Sequence, residues 1–238
     1  IKDRKTKKQL NFKHILAFCL TIIVAIPMLQ ASELQGLVVL GTDWGYEQGA
    51  VAQKAKIAEI ITKAKEQNYN AIYFQVREAG ESFYPAEKGS WSTMFNEEDP
   101  GYDPLEFALE TAHEAGLQLY AQFDVLGAYS LVNKPDSDDH LYMNEGKIWI
   151  VADDSFNPIE ENATYYLDPS IPQVLSYLKE QINELVTKYK LDGVHFTNLF
   201  YPGNSITRTQ AFLRQHKNIN DFSRLDLKTY AQTAVTSC

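Results

Sequence analysis

Two hydrophobic rhythms alternate along the chain. Residues 34–40 (LQGLVVL), 71–76 (AIYFQV), 117–125 (LQLYAQFDV) and 191–202 (LDGVHFTNLFYP) are short runs rich in branched and aromatic side chains, the composition of strands. Between them the apolar positions recur at helical spacing. Residues 50–67 place Ile57, Ile60, Ile61 and Ala64 on one stripe. Leu105, Ala108, Leu109 and Ala112 make a second. Asp103 stands at its N-cap, Pro104 at its first position, Glu106 where a capping box would close, and Gly116 past its end. A third stripe, Val174, Leu175, Leu178, Ile182, Leu185, Val186 and Tyr189, follows Pro172 and an expected cap at Ser170. The last strand is expected to be buried because of Val194, Phe196, Leu199 and Phe200, after a tight turn at Asp192 and Gly193. Residues 126–169 are too long for a plain connection and are expected to hold their own hairpin, with strands at 147–152 and 164–167. Residues 207–216 read as a further helix.

Strands alternating with helices imply a parallel sheet with helical crossovers. A (β/α)8 TIM barrel and an open doubly wound sheet both have that pattern. The long loops follow strands and carry the polar and aromatic residues, as in a barrel enzyme. No glycine-rich phosphate loop follows the first strand, which argues against a nucleotide-binding sheet. A complete barrel takes roughly 250 residues. The expected fold is therefore an α/β (β/α)8 barrel of which only the N-terminal half is present, leaving open sheet edges.

Composition changes the picture mainly at the ends. The chain has 238 residues, 45% hydrophobic and 22% charged, which is ordinary for a globular protein. Lys2, Arg4, Lys5, Lys7, Lys8 and Lys13 precede an apolar run at 15–29 and the small residues Ala31 and Ser32. That is the order of a secretory signal, expected over 1–31, with the barrel domain over 32–238. An uncleaved membrane anchor is the alternative, although the run is short for a span and contains Pro27. Cleavage would remove those bases and one acid, Asp3, from a chain of net charge −9, leaving it more acidic. Such a surface repels phosphate backbones, so no nucleic-acid partner is expected. Cys19 lies in the apolar run, so Cys238 alone would survive and no internal disulfide is expected. The chain starts at Ile1 and stops within a helix-like run at Cys238, the expectation for a fragment of a longer reading frame.

No cofactor or metal is implied. Asp136, Asp138, Asp139 and His140 have the chemistry of hard-metal ligands, but their spacing matches no known loop, and a solvated loop is expected. Asn162-Ala163-Thr164 is a glycosylation sequon of consequence only in a eukaryotic secretory route.

A parallel barrel gathers its strand exits around one mouth. The exits here supply Asp43 and Trp44; Gln75, Arg77, Glu78 and Glu81; Asp124; and His195, Thr197, Asn198 and Tyr201. Carboxylates on separate strands beside Trp and Tyr suit glycoside hydrolysis, which sets two acids about the scissile bond. The same fold hosts many reactions, and each residue has a plainer reading. Asp43 can cap a turn. Arg77 and Glu78 can form a surface ion pair. His195 can be a hydrogen-bonded core histidine, and Asp192 belongs to the turn remote from the chemistry.

The segments NAIYFQVREAGESFYP (70–85), WSTMF (91–95), YDPLEFALETAHEAGLQLYA (102–121), YLDPSIPQV (166–174) and YKLDGVHFTNLFYP (189–202) carry a more specific signal. In order and spacing, from about residue 34 to 216, they resemble the glycosyl hydrolase-like 10 family, exported bacterial barrel proteins related to the large glycosidases. The resemblance implies a (β/α)8 barrel acting on glycans, with bacterial cell-wall strands as a substrate class. The chain departs from the family in three places. The fourth-strand block of the family reads D-G-(I/V)-H-F-D-D-Y-F-Y-P; here its two acids are Thr197 and Asn198. The third-strand A-W-F-N-P is Ala121, Gln122, Phe123, Asp124 and Val125, so an acid replaces an amide. Glu81 stands where the family usually has Asp. Glu81 and Asp124 are therefore the expected catalytic pair, and their separation would tell a retaining site, about 5 Å, from an inverting one, about 6.5–9.5 Å. Gln75, Arg77, His195 and Asn198 are expected to orient a glycan, and Trp44, Tyr84 and Tyr201 to stack on its rings. The alternative is a catalytically degenerate carbohydrate-binding barrel, which Thr197 and Asn198 favour. A third reading is a membrane-anchored scaffold for protein contacts.

Overall fold

The computed structural model describes residues 33–144, 148–153, 157–200, 202 and 203. The expected signal at 1–31, the helix at 207–216 and Tyr201 lie outside them. The strands are β1 (Gly36–Val39), β2 (Ala71–Glu78), the two-residue β3 (Glu81–Ser82) and β4 (Ser90–Trp91), β5 (Gln118–Asp124), β6 (Gly127–Ser130), β7 (Glu160–Glu161), β8 (Thr164–Tyr166) and β9 (Gly193–Thr197). The helices are α1 (Gly49–Glu66), α2 (Pro104–Glu114), the short α3 (Leu141–Asn144) and α4 (Pro172–Lys188).

Strands β1, β2, β5 and β9 lie side by side, all parallel, in the order in which the chain makes them. A doubly wound sheet reverses direction at a switch point; among the described strands this order has no reversal. Strand period 2 divides the side chains between two faces. Ile72 and Phe74 of β2 and Leu119, Ala121 and Phe123 of β5 are fully buried. They share one apolar core with Ile57 and Ile61 of α1 and Leu105, Ala108 and Ala112 of α2, and this is the helix-covered face. The opposite face carries Val38, Tyr73, Tyr120 and His195 and is open. Val38 is 47% exposed and His195 is exposed.

The expected caps are partly realised. Asp103 Oδ1 accepts the N–H groups of Leu105 at 3.0 Å and Glu106 at 3.1 Å, satisfying two donors that the first turn of α2 leaves free. Gly116, at φ +69°, closes the helix with its N–H on His113 O at 2.9 Å. Ser170 is not the cap of α4. Ile171 holds that position without a side-chain bond, and Ser170 N–H donates to Asp168 Oδ1 at 2.9 Å. Proline at the first position has no N–H to satisfy, so that turn needs one acceptor fewer. The buried stripe of α4 is Val174, Tyr177, Leu178, Gln181 and Leu185. Val186 is rotated 100° from Leu185 and is 52% exposed, contrary to expectation.

The last strand also differs. It ends at Thr197, because Asn198 turns into the left-handed region at φ +55°. Phe196 is 43% and Leu199 61% exposed. Among the described residues β9 pairs with β5 alone; Val194 stays partly buried against the core, while Phe196 is exposed.

The segment after β5 builds a second, antiparallel sheet in the order β6-β8-β7. Asn162 and Ala163, both at positive φ, make the two-residue turn between β7 and β8. The strand expected at 164–167 is there. The one expected at 147–152 is reduced to single bridges, Ile150 to Leu167 and Ala152 to Pro158. Asp192 stitches the entry ends of β5 and β9, its Oδ2 accepting Leu119 N–H at 2.8 Å.

Candidate functional site

The exits of β2, β5 and β9 come together at one end of the sheet, and one irregularity decides what they present. Gln75 pairs with Gln122, yet Arg77 pairs with Phe123. Two residues of β2 thus oppose one of β5, a β-bulge at Val76. Without it Gln75 and Arg77 would share a face. With it Arg77 joins Phe123 on the helix-covered face, and Glu78 is moved to the open one.

Arg77 is 1% exposed. Its guanidinium lies 5.2 Å from the centre of the Phe123 ring, and Nη1 donates to the main-chain oxygen of Asp124. Arg77 and Glu78 form no ion pair among the described residues: as neighbours in one strand they point to opposite faces, and the bulge only decides which face each takes. The opposite face gathers Gln75, Glu78, Gln122, Asp124, His195 and Thr197, with Gln122 opposite His195 and Asp124 opposite Thr197; Gln75, Gln122 and Asp124 are buried there and His195 is exposed. Gln75 Oε1 accepts Gly41 N–H at 2.7 Å, and its side chain also hydrogen-bonds Glu78. Burial pushes the Glu78 carboxyl up, the nearby Asp124 charge pushes it further, and the Gln75 bond holds it back.

Asp124 is a clamp. Oδ2 accepts Ala79 N–H at 2.8 Å and Oδ1 accepts Gly127 N–H at 2.9 Å, so it joins the loops that leave β2 and β5. A Cβ on Gly127 would stand 1.9 Å from Asp124 Oδ2, which is why that position has no side chain. Glu81, 2% exposed on β3, accepts Thr93 N–H at 2.5 Å on Oε1 and the Thr93 hydroxyl at 3.4 Å on Oε2. Burial raises its carboxyl to about 7, against the lowering effect of the Thr93 bonds.

The expected stacking residues are enclosed. Trp44 is 1% exposed, 5.4 Å from Phe74 and 5.6 Å from Phe95. Tyr84 is equally buried, edge-on to Tyr189 at 6.0 Å. Protein rings occupy the neighbourhood that a sugar would need. His195 is not a core histidine: it lies on the open face, 4.9 Å from Tyr73. Asn198 is exposed at the end of β9. Asp43 caps its turn through Leu40 N–H at 2.8 Å. Asp136, Asp138 and Asp139 are exposed as expected, but His140 is fully buried, its Nδ1 accepting Tyr142 N–H at 3.1 Å. No three His, Cys, Asp or Glu side chains among the described residues converge on a metal position.

The model of the glycosyl hydrolase-like 10 family matches residues 37–232. Glycosyl hydrolase YngK of Bacillus subtilis (strain 168) is 29% identical over 197 residues, 76% of this chain and 37% of the relative. Glycosyl hydrolase DigH of Escherichia coli (strain K12) is 29% identical over 153 residues, 60% of this chain and 34% of that protein. The chain thus spans about a third of the length of these curated relatives. In fold it is similar to alpha-L-fucosidase isoenzyme 2 from Paenibacillus thiaminolyticus, with a TM-score of 0.55 at 16% identity over 86% of this chain and 28% of that one.

Proposed function

Because the chain belongs to the glycosyl hydrolase-like 10 family, we propose that it forms part of a (β/α)8 barrel that binds a polysaccharide at the exits of β2, β5 and β9 and hydrolyses it by carboxylate chemistry. The observation that carries this reading is the open face itself: carboxyl, amide and imidazole side chains stand together at the ends of three adjacent parallel strands. Glu81 and Asp124 are the proposed acid pair. A carboxyl that keeps its proton to about 7 suits the acid of a glycosidase. Gln75, His195 and Asn198 would orient the glycan.

The test is reducing-end release from bacterial cell-wall glycan strands stripped of their peptides, using the full-length protein. Glu81→Gln and Asp124→Asn are run alongside. Release that survives in both variants would remove the pair from the chemistry. The second reading, glycan binding without hydrolysis, is favoured by Thr197 and Asn198 at the exit of β9 and by the backbone N–H bonds on both Asp124 oxygens. Binding without release over long incubation would support it. We also propose that residues 1–31 direct export; mass spectrometry of the exported protein showing an intact N-terminus would favour an anchor instead.

A further inference from the structure

The exit of β2 holds an acid to which the resemblance gives no role. Glu78 differs from Glu81 and Asp124 in access. Glu81 is 2% exposed and held by Thr93, and Asp124 is 4% exposed with both oxygens on backbone N–H groups. Glu78 is half-buried, so part of its surface meets the open face. Its orientation is set from two sides. The bulge at Val76 fixes which face it takes. The Gln75 side chain, anchored on Gly41 N–H at 2.7 Å, hydrogen-bonds it. An acid held by a second group that is itself held is what a positioned proton donor requires.

We propose that Glu78 is the proton-donating acid of this site, oriented by Gln75 on the open face beside Asp124, on the sheet face where Thr197 leaves β9 without a carboxyl. This rests on the glycan-hydrolysis reading above and gives Glu78, in place of Glu81, the role of proton donor. Glu78 gives its proton to the glycosidic oxygen as the bond from the anomeric carbon to that oxygen breaks, and the bonding electron pair leaves with the oxygen. Water adds to the anomeric carbon, its released proton passes to solvent, and Glu78 regains a proton from solvent. The cycle consumes one water and needs no other co-reactant.

The titratable groups around Glu78 agree with that role. Glu81 lies opposite it on β3 and Asp124 beside it on β5. His140 lies against Gly80, two positions on. Arg77, the nearest cation in sequence, points to the other face. Two neighbouring carboxyls favour the protonated form, and His195 of β9 stands on the same face two strands away.

The experiment measures reducing-end release from peptide-free cell-wall glycan strands between pH 4 and 9 for the full-length protein and for Glu78→Gln. Folding is checked by thermal melting. The expected result is a loss of about 10²–10⁴-fold in rate, together with loss of the limb in which the parent rate falls as pH rises. A folded Glu78→Gln within threefold of the parent overturns the proposal while leaving glycan hydrolysis in place. So does a slowed variant that keeps the parent's alkaline limb, since another group then carries the proton. No release by the parent overturns the hydrolysis reading and the proposal with it. Should Glu78→Gln fail to fold, Glu78→Asp takes its place. A parent-like rate overturns the proposal; a rate at least tenfold lower with the alkaline limb kept supports it.

Discussion

The two faces of the parallel sheet use alternate residues of the same strands, and they are opposites in chemistry. On the helix-covered face Ile72, Phe74, Leu119, Ala121 and Phe123 are sealed against α1 and α2. On the open face Tyr73, Tyr120, Gln122, Asp124 and His195 stand in the same strands one position away. Stability is drawn from one parity and candidate chemistry from the other. The bulge at Val76 shows how much depends on the count. One additional residue puts a cation, Arg77, into the apolar layer and an acid, Glu78, on the open face.

This contrast can be broken most forcefully at Phe74. Phe74→Ala should destabilise the fold by about 3–5 kcal/mol, since the ring is fully buried and stacks on Trp44. A denaturation midpoint close to that of the parent would mean that the helix-covered face is not the core. The Asp124 clamp is the next largest effect. Asp124→Ala leaves the N–H groups of Ala79 and Gly127 without an acceptor, for an expected loss of about 2–4 kcal/mol by urea titration. A loss this large would also mean that activity data on that variant report folding before chemistry.

Glu81 sharpens the comparison through pH. Its folded carboxyl titrates at about 7 and its ordinary value is 4.5. Below the lower value both folded and unfolded chains hold the proton, and burial carries no charge. Between the two the unfolded chain has lost a proton that the folded chain retains, so stability falls as pH rises. Above the higher value the folded chain bears the full cost of the buried charge. The expected decline from pH 4.5 to 7 is on the order of 2–3 kcal/mol. Melting temperature against pH should show it in the parent and should be flatter in Glu81→Gln. The smallest effect belongs to the open face at its edge: Val38→Thr, 47% exposed, should stay within about 0.5 kcal/mol of the parent.

Much of this architecture is readable from the residue pattern, for local reasons. The stripes of α1 and α2, the Asp103 cap and the Gly116 stop depend on neighbours within a turn or two, and they form as the pattern predicts. The errors lie where a distant partner decides. Phe196 and Leu199 have the composition of a buried strand, but β9 pairs with β5 alone among the described residues. Trp44 and Tyr84 suit sugar stacking by type, yet the β3–β4 region folds back and supplies Phe83 and Phe95 as neighbours of Trp44. No local signal announces the bulge that turns Arg77 into the apolar layer and Glu78 to the other face.

The sequence alone determined the order of the four parallel strands and their crossover helices, and both ends of α2. All of these follow from side-chain periodicity and short-range backbone preference. Only the tertiary structure decided which side of the sheet each exit residue takes, which carboxyls are sealed and which meets the open face. Those outcomes depend on register between strands far apart in the chain, and a one-residue change in register exchanges the faces of every position beyond it.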